Sequence, residues 1–134
     1  MNLKVAASNA PLVAVPKCIL VVEDEPLIRL LICDDLRDAG FEVVEACNAD
    51  EAIVLLAALT PDLISSDVQM PGSIDGSGLL AFVKKTYPHI PVIIASGNWN
   101  PTAKEIESAA RILTKPFTAD ALLKAIQEEL GIAC

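Results

Sequence analysis

Short apolar runs and stretches of helical periodicity alternate along the chain from residue 18 onward. The first run, CILVV (18–22), has no polar break and reads as a buried strand. Pro26 stands where it suits the first turn of a helix. The pattern carries that helix to about Ala39, with Ile28, Leu31, Ile32, Leu36 and Ala39 expected on one face and Gly40 placed to end it. Leu30 and Cys33 then fall off the core face, where either would mark a contact patch. FEVVEA (41–46) predicts a second strand. Asn48, with Glu51 three residues on, has the form of a capping box and opens a helix whose apolar side is Ile53, Leu55 and Leu56, and which Pro61 breaks. DLISSD (62–67) predicts a third strand ending on an aspartate, and the loop VQMPGSIDGSG leads into a helix over about 78–87. PVIIAS (91–96) reads as a fourth strand. GNWNPTAKEIESA supports only a short helix, over 101–108, before a fifth strand, ARILTK (110–115). Thr118 caps a last helix carrying Leu122, Leu123, Ile126 and Leu130.

Five nearly continuous apolar strands alternating with five helices imply an α/β fold, a doubly wound parallel sheet covered on both faces. Strands buried on both sides lose the usual alternation of polar and apolar positions. At 134 residues and 53% hydrophobic, the chain suffices for one domain with a real core. Its 18 acidic and 10 basic residues leave a net charge of −8 with no block of Lys or Arg, which argues against direct contact with nucleic acid or an anionic membrane. The four cysteines, at 18, 33, 47 and 134, form no C-x-x-C pair, and His89 is the only histidine. Zinc and redox readings therefore fail, and incidental or buried thiols in a reducing cytoplasm fit better. His89, in YPHIP, reads as a surface loop residue. The stretch MNLKVAASNAPLVAVP is interrupted by Ser8, Asn9 and Pro11 and is too short to span a bilayer, so it is expected to be a flexible tail over 1–16. The domain then runs over 17–131, with 132–134 as its C-terminal end.

In open sheets of this kind the binding crevice lies outside the carboxyl ends of the strands. Glu23 and Asp24 follow the first strand, Asp67 ends the third, Ser96 the fourth and Lys115 the fifth. An isolated triplet such as EDE usually reads as a solvated charge run, and Asp67, Ser96 and Lys115 would each pass singly for a turn or surface residue. Their joint placement on one edge is the informative observation. Carboxylates that converge repel one another, so such a site must bind a cation or raise a pKa. Hard oxygen ligands without His or Cys point to Mg²⁺. A lysine and a hydroxyl opposite would complete a phosphoryl site, and an aspartate at its centre can itself be a nucleophile that forms an acyl phosphate.

The segments LVVEDEP, PDLISSDVQMPG with DG following, IIASG and TKPF stand in the order and spacing of a known family. The chain resembles the receiver domain of two-component response regulators over about residues 17–131. The resemblance implies a flavodoxin-like (βα)5 fold with strand order 2-1-3-4-5. It implies Asp67 as phospho-acceptor, Asp24 as a direct Mg²⁺ ligand, Glu23 acting on the metal through water, and Gln69 lending a backbone carbonyl. Ser96 matches the hydroxyl that contacts the phosphoryl group, and Lys115 matches the lysine before a proline, whose Lys115–Pro116 bond is expected to be cis. The implied function is that of a single-domain response regulator in the cytoplasm. It would take phosphate from a sensor histidine kinase or histidine phosphotransfer protein and signal through a downstream protein target; a homodimer is compatible with this. Such a protein is not an enzyme in the ordinary sense, since it acts only on its own phosphorylation.

The chain departs from the family pattern in three places. MPGSIDG has one residue more than the usual MPxMDG, and the spacing from Ser96 to Lys115 is short, so the fourth helix is expected to be short or irregular. Ile112 stands where many members carry a switching Tyr or Phe. The segment Gly97-Asn98-Trp99-Asn100-Pro101 is then the expected bistable element. Two other classes compete with the leading reading. A haloacid-dehalogenase-type phosphatase would need D-x-D after the first strand, where this chain has E-D-E. A pseudo-receiver would bind partners without phosphorylation, yet every chemical position is filled here.

Overall fold

All five expected strands form, and each is followed by a helix. The computed structural model describes residues 15–97 and 99–132; the expectations for the tail over 1–14, for Asn98 and for residues 133 and 134 lie outside the described residues. In order the elements are β1 (Cys18–Val22), α1 (Pro26–Asp38), β2 (Glu42–Ala46), α2 (Ala49–Leu56), β3 (Leu63–Asp67), α3 (Gly76–Thr86), β4 (Val92–Ser96), α4 (Ala103–Ser108), β5 (Arg111–Thr114) and α5 (Ala119–Leu130). The sheet is parallel throughout, with strand order β2-β1-β3-β4-β5. Among the described residues, no helix is long and apolar enough to cross a membrane.

Two cores flank the sheet because successive strand residues point to opposite faces. Leu20, Val22, Ile64 and Ile94 pack against Ala52 and Leu56 of α2 and Leu79, Leu80 and Val83 of α3. Ile19, Val21, Leu63 and Ile93 pack against Cys33 and Leu36 of α1 and Leu122, Ala125 and Ile126 of α5. Each large aliphatic side chain removed from water stabilises the fold by about 1.5–3 kcal/mol, and the central strands β1, β3 and β4 supply most of them. The outer strands β2 and β5 are only partly covered, and β5 alternates in exposure, as an edge strand with one open face does.

The capping signals operate as the sequence suggests. Asn48 accepts from the backbone N–H of Glu51 at 2.8 Å, and Glu51 reaches back to the N–H of Cys47. Thr118 accepts from Ala121 at 3.0 Å, and Gly40, at φ +99°, lets the chain leave α1. Two boundaries differ. The α2 helix ends at Leu56, well before Pro61. The α3 helix starts at Gly76, because Asp75 caps it by accepting from the N–H of Gly78.

The face of α1 corrects the sequence reading. Cys33, expected off the core face, is completely buried, whereas Leu31 is 56% exposed and Ala39 is also exposed. The buried residues of α1 are Cys33 and Leu36, with the half-buried Arg29 one turn before Cys33 on the same face and the half-buried Ile32 beside it. A small thiol lets the helix lie close over the sheet, and the leucines turn outward. Leu27, Leu30 and Leu31 consequently form an exposed apolar face on α1.

Candidate functional site

Because the sheet is parallel, all five strands deliver their carboxyl ends to one edge, and the residues just past those ends become neighbours. Val22 of β1 is registered with Ser66 of β3, so Glu23 and Asp67 come next on adjacent strands. Ligand oxygens of Glu23, Asp24 and Asp67 lie within 4.8 Å of one another. On the other side of β3, Asp67 is registered with Ala95, which places Ser96 one residue beyond it, buried at the end of β4. Thr114 of β5 is registered with Ser96, and the N–H of Lys115 donates to the Ser96 carbonyl at 3.0 Å. The Lys115–Pro116 peptide is cis, as expected. Gln69 is exposed two residues beyond Asp67.

The charged groups make one connected set. Lys115 Nζ lies 3.2 Å from Asp67 Oδ2 and 3.5 Å from Glu23 Oε1. Asp67 Oδ1 accepts from the N–H of Val68 at 2.9 Å. The Glu23 side chain is only 4% exposed, and its Oε2 accepts from the N–H of Glu25 at 3.2 Å. Burial pushes the Glu23 carboxyl above its usual range; the Glu25 N–H and the Lys115 charge oppose this, and the Asp67 charge adds to it. Burial pulls the Lys115 ammonium down, but the hydrogen bond and charge of Asp67, with those of Glu23, outweigh it and hold its pKa above the ordinary lysine value.

This arrangement suits a divalent cation. Its donors are hard carboxylate oxygens, one of them buried, and among the described residues the one ammonium in contact is shared between Glu23 and Asp67, too little to balance three converging carboxylates. Glu23, Asp24 and Asp67 could hold Mg²⁺, with Gln69 near enough in sequence to add a backbone carbonyl. Lys115 and Ser96 then lie on the β4–β5 side of Asp67, opposite the acids that follow β1.

Three supporting features were not singled out from the sequence. A Cβ on Gly76 would fall 2.0 Å from the Asp67 carbonyl oxygen and 2.7 Å from Val68 Cα, so only glycine lets α3 start this close to the end of β3. The loop with the additional residue is tied to α2: the N–H of Ser73 donates to Asp50 Oδ2 at 2.9 Å, the Ser73 hydroxyl donates to Oδ1, and Gly72 at φ +125° makes the turn. Arg29 Nη1 donates to the Glu23 carbonyl at 2.7 Å. The sequence signal for the first was the DG pair ahead of the helix. An arginine four residues before a buried cysteine on one helix face gave no such signal.

A sequence model described as the response regulator receiver domain matches residues 19–127. The nitrogen assimilation regulatory protein NtrX of Azorhizobium caulinodans is 38% identical over 109 residues, covering 78% of this chain and 24% of the relative. The chain thus spans about a quarter of the length of the NtrX-type relatives it matches. The chemotaxis protein CheY of Bacillus subtilis is 35% identical over 117 residues, covering 84% of this chain and 97% of CheY. Among solved structures, the response regulator TrrA of Thermotoga maritima in complex with Mg²⁺-BeF superposes with a TM-score of 0.77 at 30% identity, over 85% of this chain and 98% of TrrA. With the sheet order, the acidic cluster at its carboxyl edge and these matches in agreement, the chain belongs to the response regulator receiver domain family.

Proposed function

We propose that residues 17–131 form a phospho-acceptor module in which Asp67 takes a phosphoryl group from a phosphohistidine, working as a single-domain response regulator in the cytoplasm. The observation that carries this reading is the contact of Lys115 Nζ with Asp67 Oδ2 at 3.2 Å, beside the convergent carboxylates of Glu23 and Asp24. CheY and TrrA, almost fully covered by this chain, support a module of this length acting by itself. Glu23, Asp24, Asp67 and the Gln69 carbonyl would hold Mg²⁺, with Glu23 reaching it through water. Mg²⁺ bound there would offset the charge of the phosphoryl oxygens and of the attacking carboxylate.

In the step itself, a carboxylate oxygen of Asp67 attacks phosphorus, the O–P bond forms, and the N–P bond to the donor imidazole breaks. The imidazole leaves with the bonding pair and takes a proton from solvent. Lys115 turns its ammonium to a phosphoryl oxygen and the Ser96 hydroxyl donates to another, so that charge developing on the phosphoryl group meets donors already in place. The result is an acyl phosphate on Asp67. Beside the site, a groove of about 720 Å³ lies between α1 and α5 and includes Leu31, Lys115 and Phe117; with the exposed leucines of α1 it offers apolar contact to the donor's helices. Phosphorylation then alters affinity for a downstream protein.

Acetyl phosphate and p-nitrophenyl phosphate, supplied in parallel with Mg²⁺, test the reading. We expect stoichiometric, Asp67-dependent labelling from the first and no sustained turnover of the second. Steady release of p-nitrophenol that Asp67→Asn abolishes would make the protein a phosphatase instead. Absence of labelling and turnover, with the fold intact, would favour a binding module that works without phosphorylation.

A further inference from the structure

The main chain that carries the two acids after β1 is fixed from three sides. The N–H of Glu23 donates to the Ala46 carbonyl at the end of β2, at 3.1 Å, and the Glu25 N–H holds the Glu23 carboxylate. The third anchor is a side chain: Arg29, one turn into α1, directs Nη1 back to the Glu23 carbonyl at 2.7 Å. That carbonyl belongs to the peptide plane from which Asp24 starts. The Arg29 side chain is 19% exposed, and its Nε meets Glu45 Oε1 at 3.3 Å; Arg37 Nη2 holds the other Glu45 oxygen at 3.1 Å. The guanidinium fork therefore spans from β2 to the acidic loop, a geometry that a single ammonium cannot copy.

We propose that Arg29 is a positioning residue for the divalent cation: it fixes the Glu23–Asp24 peptide so that the Asp24 carboxylate is already aimed when the metal arrives. The α1 N-terminus has no side-chain cap, and it is the Arg29 side chain that ties this helix to the peptide. The proposal rests on the Mg²⁺ reading of the site. An opposing effect has to be weighed, because a cation near the metal also repels it. Glu45 lies between Arg29 and Arg37 and offsets that charge, while loss of the anchor frees the peptide beside the ligands; outer partners of metal ligands typically control about 10- to 100-fold in affinity.

The test is calorimetric titration of Mg²⁺ into wild type, Arg29→Met and Arg29→Lys, paired with thermal unfolding in EDTA. Methionine keeps the apolar stem and lysine keeps the charge. We expect Arg29→Met to bind Mg²⁺ about tenfold more weakly. Arg29→Lys should recover part of the loss, with little change in metal-free unfolding for either variant. Unchanged or tighter binding by Arg29→Met would overturn the proposal, since charge repulsion would then outweigh positioning. So would a loss that follows a fall in metal-free stability and is no smaller in Arg29→Lys. If wild type itself binds no Mg²⁺, the metal reading fails and takes the role of Arg29 with it, an outcome distinct from the other two.

Discussion

At the scale of single residues, the buried carboxyl of Glu23 is the most consequential. A carboxyl whose pKa is raised on folding binds more protons in the folded than in the unfolded chain. Its contribution to stability therefore falls as pH rises from its ordinary value of 4.5 through the raised folded value, and stays low above it. Lys115 behaves differently: raised above 10.5, its contribution is fully present below that value and is lost as pH climbs beyond it. Above its raised folded pKa the metal-free protein carries the Glu23 penalty, which is what a cation would relieve. We expect urea unfolding in EDTA to show Glu23→Gln gaining stability relative to wild type as pH is raised from about 4.5 to neutrality. Added Mg²⁺ should then stabilise wild type more than the variant. A pH-independent difference between the two would remove burial of this carboxylate as a source of strain.

At the scale of elements, the segment between β4 and α4 is where the site meets the surface. Ser96 ends β4 in the interior, while α4 has no buried residue and is tied to α3 through a hydrogen bond from Ser77 to Glu105, which also closes the Thr102 capping box. A helix held mainly by polar contacts costs little to shift. Ile112 is partly exposed on β5 and offers no ring to move, whereas Trp99 packs against the α2–α3 core. We expect beryllofluoride with Mg²⁺ to change Trp99 emission in wild type, less in Ser96→Ala, and not in Asp67→Asn; an unchanged spectrum with binding confirmed would leave this segment out of the switch. Elements were legible in the sequence wherever one physical signal dominated. Uninterrupted apolar runs located β1 and β4, and Asn48, Thr118 and Gly40 marked helix ends by local chemistry. The inner face of α1 was legible only in part: Ile32 and Leu36 fall on it as expected, but apolar character alone ranks Leu31 above Cys33. Close packing over the sheet favours the smaller side chain, and Arg29 reaches a carbonyl that only the tertiary structure brings near.

At the scale of the whole molecule, a parallel sheet turns residues far apart in sequence into one site. Glu23 and Asp24, Asp67, Ser96 and Lys115 come from the ends of four strands, and no two of those ends are joined by a short loop. Their shared edge could be read from the alternation of strands and helices. The Lys115 contacts, the constraint at Gly76 and the Asp50–Ser73 tie depend on distances that the pattern does not contain. The central claim is that this edge exists to carry a phosphoryl group on Asp67, and its most direct measurement is chemical mapping. The protein is treated with acetyl phosphate and Mg²⁺, then reduced with borohydride, which converts an aspartyl phosphate to homoserine, and the peptides are sequenced by mass spectrometry. The account predicts homoserine at position 67 alone, and none when EDTA replaces Mg²⁺. Homoserine at another position, or at 67 to the same extent in EDTA, would contradict it.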